Sequence, residues 1–402
     1  MSTFGTEMTA VALPWFVLVT TGSAARMAGV MAAEFVGAAA FGIPAGRIAQ
    51  MLGPRRALLT ADALRAPLLL LIPVLHWAGA LNYPTLLVVG LVVGACFPAY
   101  TSAQRLVVAS TAGEDELRLT RLGGLLGAVN ETASFLGPAV GGVLVAVVGA
   151  SWVLVLDAAT YVISFAVIAT FVPSSLRPVA DDTDNDTLAG VRYLWRSRAL
   201  RRQVAAVMVV ELAWTALMAT LPVAARHRYH GGAALAGAFV AAYGAGSIVG
   251  GLASARTRRA GPRRLGVSLV VMAGIAWALV PVLPAWAVAL GVAGFGVCNG
   301  VYFPRLFTAL TLVPPEGVRG PVMTAAQTVM STTGPLGFVA AGLILQSGPV
   351  LPAFVLVAVA TTVGAVMSVT GEPLRPRVDV EGLAAQETDE GEPGLVGELD
   401  RE

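Results

Sequence analysis

Apolar stretches of about twenty residues, the length of helix that crosses a bilayer's hydrocarbon core, recur along this chain almost without interruption. They lie near 1–21, 27–49, 57–78, 83–104, 121–147, 151–172, 203–224, 233–254, 264–283, 285–311, 319–345 and 349–370. In lipid each backbone N–H and C=O must find its partner inside the protein, so such stretches form helices and not open strands. Of the 402 residues only 12% are charged and 56% are apolar, whereas a soluble domain carries about 25% charged residues to cover its surface. The expected fold is therefore an all-α integral membrane protein of twelve transmembrane helices, with lipid as its solvent.

The charges are segregated. All 26 basic residues are arginine, and nineteen of them lie in or beside the connections after spans 2, 4, 6, 8 and 10; the opposite connections hold only Arg26, Arg226 and Arg228. By the positive-inside rule the Arg-rich side is cytoplasmic, which places both termini there and implies a multi-pass protein of a bacterial cytoplasmic membrane. Cys96 and Cys298 stand alone in apolar runs, and His76, His227 and His230 are scattered, so neither a disulfide framework nor a metal site is expected. No cofactor, nucleotide-binding loop, catalytic triad or nucleic-acid surface is legible. The chain reads as a monomer in the bilayer and not as an enzyme.

Its organisation is duplicated. Residues 1–172 read as one six-helix half, 173–202 as a polar central loop, 203–370 as a second half and 371–402 as an acidic, disordered tail. The loop closes on Val191-Arg192-Tyr193-Leu194-Trp195-Arg196, a basic amphipathic segment suited to an anionic leaflet. Three landmarks recur in order: Gly53-Pro54-Arg55-Arg56 and Gly261-Pro262-Arg263-Arg264; Gly94-Ala95-Cys96 with Tyr100, and Gly296-Val297-Cys298 with Tyr302; Gly137-Pro138 and Gly334-Pro335. Internal repeats of this kind mark transporters whose substrate site lies at the midplane between the repeats. Met1 stands almost at the start of span 1, which Ser2, Thr3, Thr6, Glu7 and Thr9 dilute; either an upstream start or a weakened first helix is expected.

Span 5 carries Gly124, then Ala133, then Gly137-Pro138-Ala139-Val140-Gly141-Gly142. Small residues at this spacing let helix backbones approach closely, and the proline bends the helix. The segment resembles motif C of the proton-linked drug antiporters of the major facilitator superfamily, with Ala133 in place of a glycine. The loop from Gly46 to Arg56 is similar to that family's motif A. It keeps Gly46, Gly53, Arg55 and Arg56, but has Gln50 at the acidic position and Met51 at the first basic one. A latch rebuilt around Asp62 and Arg65, three apart on one face of span 3, is expected in its place. Residues 86–99 lack the arginine that such antiporters carry in span 4. Leu13-Pro14-Trp15, Thr21-Gly22-Ser23, Ala61-Asp62-Ala63-Leu64-Arg65-Ala66, Asp157-Ala158-Ala159, Arg319-Gly320 and Pro335-Leu336-Gly337 resemble the macrolide- and siderophore-exporter branch. The resemblance implies the major facilitator fold, two pseudo-symmetric six-helix bundles, with spans 1, 4, 7 and 10 lining the cavity beside spans 2, 5, 8 and 11.

A charge at mid-bilayer costs several kcal/mol, so it marks a partner, a wet cavity or a proton, and burial favours a carboxyl's neutral form. The candidates are Glu7, Glu34, Asp62, Glu131, Asp157 and Glu211. Asp62 is assigned to Arg65, Asp157 to helix packing, and Glu34 lies near water. Glu7, Glu131 with Asn130 beside it, and Glu211 are the candidates for proton or substrate. Trp15, Trp214, Tyr243, Asn299, Tyr302, Phe303 and Gln327 are candidates for a greasy cavity with a few polar groups, suited to bulky amphipathic ligands. The reading is a secondary exporter, driven by protons, of amphipathic small molecules such as drugs, antibiotics or siderophores. A symport importer of a small nutrient and a transport-inactive sensor or scaffold stand as alternatives.

Overall fold

The computed structural model describes residues 2–112, 115–173, 187–256, 263–281, 283–314, 322–323, 325–326, 329–330 and 332–370, with the side chains of 43–50, 116, 119–120, 131, 187–190, 263–265, 309 and 311–312 outside that description. The acidic tail, most of the central loop, Gly261-Pro262, Arg319-Gly320 and Gln327 lie outside the described residues. The helices are α1 (Ser2–Thr21), α2 (Ala24–Leu52), α3 (Pro54–Trp77), α4 (Tyr83–Ala112), α5 (Glu116–Val148), α6 (Ala150–Phe171), the short α7 (Thr187–Arg196), α8 (Arg198–Val223), α9 (Ala233–Arg256), α10 (Arg263–Ala278), α11 (Ala285–Leu312), α12 (Gly334–Leu345) and α13 (Leu351–Val369). Ten stretches among the described residues are long and apolar enough to span a membrane, and Gly266–Ala278 and Gly334–Leu345 are shorter apolar helices in the remaining positions. This is the twelve-helix architecture.

Helix α1 is unbroken through Pro14. Four of its polar residues, Ser2, Thr6, Glu7 and Thr9, meet partners across the bundle. Ser2 Oγ lies 2.7 Å from Tyr100 Oη, Thr6 Oγ1 2.8 Å from Tyr161 Oη, and Thr9 donates to Asp157 at 2.6 Å. At the α2–α3 turn Gly53 has φ 79°, a left-handed conformation that glycine adopts without strain, and Pro54 begins α3 where its missing N–H costs nothing.

Glycines bring the helices together in pairs. A Cβ on Gly37 would overlap the Leu91 carbonyl oxygen, and one on Gly94 would overlap that of Glu34, so α2 and α4 touch backbone to backbone. The second half repeats the device: Gly246 rests on the Ala293 carbonyl and Gly296 on that of Tyr243, joining α9 to α11. The repeat reaches polar side chains too. Tyr100 on α4 stands between Ser2 on α1 and Ser164 on α6, at 2.7 and 3.5 Å. Tyr302 on α11 accepts a 2.7 Å bond from Gln203 on α8, whose carbonyl takes a 3.1 Å bond from Ser368 on α13.

The two groups of helices meet mainly through α5 with α9 and α2 with α12, and they meet at the Arg-poor end. There Gly142 faces Gly237 so closely that a Cβ on Gly142 would lie 2.7 Å from the Gly237 Cα. Gly342 packs on Ala28, and Phe35 meets Phe338 edge-on at 5.0 Å. A π turn, Ala224–Arg228, ends α8 and projects Arg226, whose guanidinium donates at 2.5 Å to the Leu18 carbonyl near the end of α1. Toward the Arg-rich end the same helices part among the described residues: no described atom of another helix lies within 4 Å of a Cβ built on Gly123, Gly124 or Gly127 of α5 or Gly251 of α9.

Outside the bundle, apolar side chains face lipid. Trp77 and Trp152 pair at 5.1 Å at the Arg-poor end, and Trp286 begins α11 there, an interfacial belt. On α7, Leu194 is buried against the bundle while Arg192, Trp195 and Arg196 are exposed, as the amphipathic pattern predicts.

Gly142→Val over-packs the contact that closes the Arg-poor end, at a cost of about 1–3 kcal/mol. The expected result is a roughly tenfold rise in labelling of a cysteine introduced at position 21 by a membrane-impermeant thiol reagent, with no loss of folded protein on size exclusion. Unchanged labelling would show that this contact does not hold the closure.

Candidate functional site

Where α5 and α9 part, a cavity of about 790 Å³ lies between the middle of the bundle and its Arg-rich end. Four helices build it: Ala128 and Thr132 from α5, Glu211 and Trp214 from α8, Tyr243, Ser247, Ile248, Gly251 and Leu252 from α9, and Asn299, Gly300, Phe303 and Pro304 from α11. The α9 positions 243, 247 and 251 fall one turn apart on one face.

Glu211 sits halfway along α8. Thr215 beside it donates to the Glu211 backbone carbonyl at 3.0 Å and not to the carboxylate, which has no hydrogen-bond partner among the described residues. One turn on, Trp214 stands 6.2 Å from Tyr243 and 6.2 Å from Phe35, and its indole N–H has no acceptor among the described residues. Asn299 donates its amide to the Tyr243 hydroxyl, which fixes that ring in the wall. The wall is thus mostly apolar and aromatic, with one carboxylate and a few neutral polar groups.

Of the residues singled out from the sequence, Glu211, Trp214, Tyr243, Asn299 and Phe303 come together here. Tyr302 does not: it is fully buried and turned toward α8, bonded to Gln203. One residue of helical rotation separates it from Phe303, which does line the cavity. Trp15 is half-buried against the core and is not in the lining. Glu7 belongs to the α1–α5 contact, where Ser134 donates to it at 2.8 Å and Gly137 packs on its Cβ. Asp157 is fully buried, accepting from Thr9 and, at 3.1 Å, from Thr160. The backbone of Glu34 is the surface on which Gly94 rests. Asn130 is half-buried outside the lining, and the surroundings of the Glu131 side chain and of Gly46 lie outside the description. Thr132 and Ser247, which carry no sequence signal beyond their helical register, are lining residues that the sequence did not single out.

The expected Asp62–Arg65 pair is not bonded. Both residues are buried, but among the described residues the Asp62 carboxylate accepts no hydrogen bond. Arg65 instead lies over the rings of Tyr100 and Tyr161, at 5.1 and 5.7 Å, a cation–π arrangement. Those rings come from α4 and α6, so the partner that wins is tertiary and not the helical neighbour. The tie at this end is Arg55, which donates at 2.8 Å to the Ala169 carbonyl near the end of α6, where helix carbonyls lack intrahelical partners. In span 5, Gly137, Pro138, Gly141 and Gly142 are buried contact residues against α1 and α9, whereas Gly124 faces open space.

The family model of the Major Facilitator Superfamily matches residues 1–338, and the chain belongs to that family. It is 26% identical over 359 residues to the multidrug efflux pump Tap of Mycobacterium tuberculosis, covering 85% of this chain and 84% of that protein. To the multidrug efflux pump Tap of Mycolicibacterium fortuitum it is 27% identical over 355 residues, covering 84% and 85%. Among solved structures it is similar to the inward open conformation of the xylose transporter XylE from E. coli, with a TM-score of 0.71, 12% identity and coverage of 96% and 98%. It is likewise similar to the nucleoside transporter NupG, with a TM-score of 0.72, 13% identity and coverage of 91% and 96%. At such identities the structures establish the fold alone.

The partners found here separate two buried acids. Asp157→Ala removes an acceptor from two hydroxyls and is expected to lower the stability of the purified protein by about 1–3 kcal/mol, read as a lower Tm. Glu211→Gln, which breaks no internal bond, is expected to leave Tm unchanged. Equal losses for both would place Glu211 in the packing.

Proposed function

From its place in the Major Facilitator Superfamily, a family of membrane transporters and not of enzymes, we propose that this chain is a secondary exporter of amphipathic small molecules. It works by alternating access, with the Arg-rich end and both termini in the bacterial cytoplasm, as a monomer. The observation that carries the reading is the aromatic-walled cavity, with Glu211 the one carboxylate in its described lining, which lies toward the Arg-rich side of the Gly142–Gly237 contact. With that orientation the structure is an inward-facing state, ready to take cargo from the cytoplasm or the inner leaflet. The named relatives, multidrug efflux pumps along most of their length, support the same direction.

Protons are the proposed driving ion. Glu7 is the proposed carrier: it lies in a membrane span, where a free charge is costly, and is held by Ser134 against Gly137 on the helix that also closes the Arg-poor end. Loading or losing a proton there changes a contact within the closure, and a ligand moves an equilibrium only through such differential contacts.

In proteoliposomes with an imposed pH gradient, the expected result is gradient-dependent movement of an amphipathic dye against its own gradient. Glu7→Gln is expected to abolish the dependence on the gradient while leaving dye exchange down its gradient. Dye movement without any response to pH would remove the proton from this account, and no dye movement under either condition would remove the exporter.

A further inference from the structure

Among the described residues, Glu211 is the one charged side chain that lines the cavity. Thr132, Ser247 and Asn299 are neutral, and Trp214, Tyr243 and Phe303 present rings. Arg305 follows the lining residue Pro304 in sequence but is not in the lining. Among the described residues Glu211 is therefore an acid without an opposite charge beside it in the wall, on a helix where its neighbour Thr215 bonds the backbone and not the carboxylate. Such a group persists at such depth when a partner, a wet cavity or a proton stands against it, and here the surrounding surface is aromatic. Ring faces attract cations through their quadrupoles, most strongly where water is excluded.

We infer that the cavity is a site for a monovalent organic cation with an apolar, ring-bearing body, its charge held at Glu211 and its body on Trp214, Tyr243 and Phe303. A small inorganic cation does not fit the wall, since it needs several oxygen ligands in close array and the oxygen-bearing side chains of Thr132, Ser247 and Asn299 come from three helices other than that of Glu211 and stand among rings. An organic anion would face an uncompensated like charge. A cavity of about 790 Å³ falls within the range of about 300–1,000 Å³ that drug-sized ligands fill. The inference rests on the exporter reading only in taking this ligand as cargo; the site itself requires no direction of transport.

The test uses the full chain in lipid nanodiscs and two probes of nearly the same shape and opposite charge, tetraphenylphosphonium and tetraphenylborate. Tetraphenylphosphonium is expected to bind saturably and tetraphenylborate to fail to displace it. Glu211→Gln is expected to weaken the cation roughly 30-fold or more, the loss that follows when one partner of a desolvated charge pair is removed, with Tm unchanged; Glu211→Asp is expected to retain part of the affinity. Trp214→Phe should keep most of the binding and Trp214→Ala should not. Equal binding of the two probes by the unmodified protein would overturn the inference without reference to any variant. So would full affinity in Glu211→Gln, or a loss seen in Glu131→Gln and absent in Glu211→Gln. If the cation binds as expected but no pH-driven flux occurs in proteoliposomes, the exporter reading fails and the site stands; if flux of a neutral dye occurs without cation binding, the reverse holds.

Discussion

Close approach of backbones at glycine is the contact on which this molecule depends. Lipid offers no hydrophobic drive between helices, because its tails are as apolar as leucine, so helices associate through packing and a few polar bonds. The carbonyls of Leu91 and Glu34, and of Ala293 and Tyr243, are met by Gly37, Gly94, Gly246 and Gly296. No other residue leaves room for that approach. These four contacts, two per half and related by the repeat, fix α2 on α4 and α9 on α11, and so fix the walls against which the remaining helices settle.

The same chemistry, applied unevenly along a helix, sets the state of the transporter. On α5 the glycines at 137, 141 and 142 are filled by α1 and α9, while those at 123, 124 and 127 face space. One helix pair is thereby shut at one end and parted at the other, and the cavity is the space between. Opening the Arg-poor end requires breaking Gly142 from Gly237, Gly342 from Ala28 and Arg226 from Leu18. All three lie at the Arg-poor end.

Polar groups are divided between the halves. In the first, α1 is stitched to α4, α5 and α6 through Ser2, Thr6, Glu7 and Thr9, and Arg65 is covered by two tyrosines. In the second, Gln203, Tyr302 and Ser368 repeat the tie without a charge. Glu211 alone among the second half's span residues brings an acid into the cavity wall. Groups that bond inside the bundle hold its shape, and Glu211 stands in the described wall of the ligand space.

The number of spans, the two-fold repeat, the glycine turn at Gly53 and the tight face of span 5 were all legible in the chain, because each follows from hydropathy, from identity at fixed spacing or from backbone sterics. Which way a side chain points was not. These spans are apolar nearly all round, so periodicity does not mark the face toward the cavity, and Tyr302 and Phe303 read alike although one is sealed in the α8–α11 contact and the other lines the cavity. Arg65 likewise reads as the neighbour of Asp62 on one helix, yet rings from α4 and α6 take it. The sequence by itself determined that this chain crosses a membrane twelve times as two related halves. Only the tertiary structure decided which acid faces the cavity, because that depends on contacts between helices far apart in the chain.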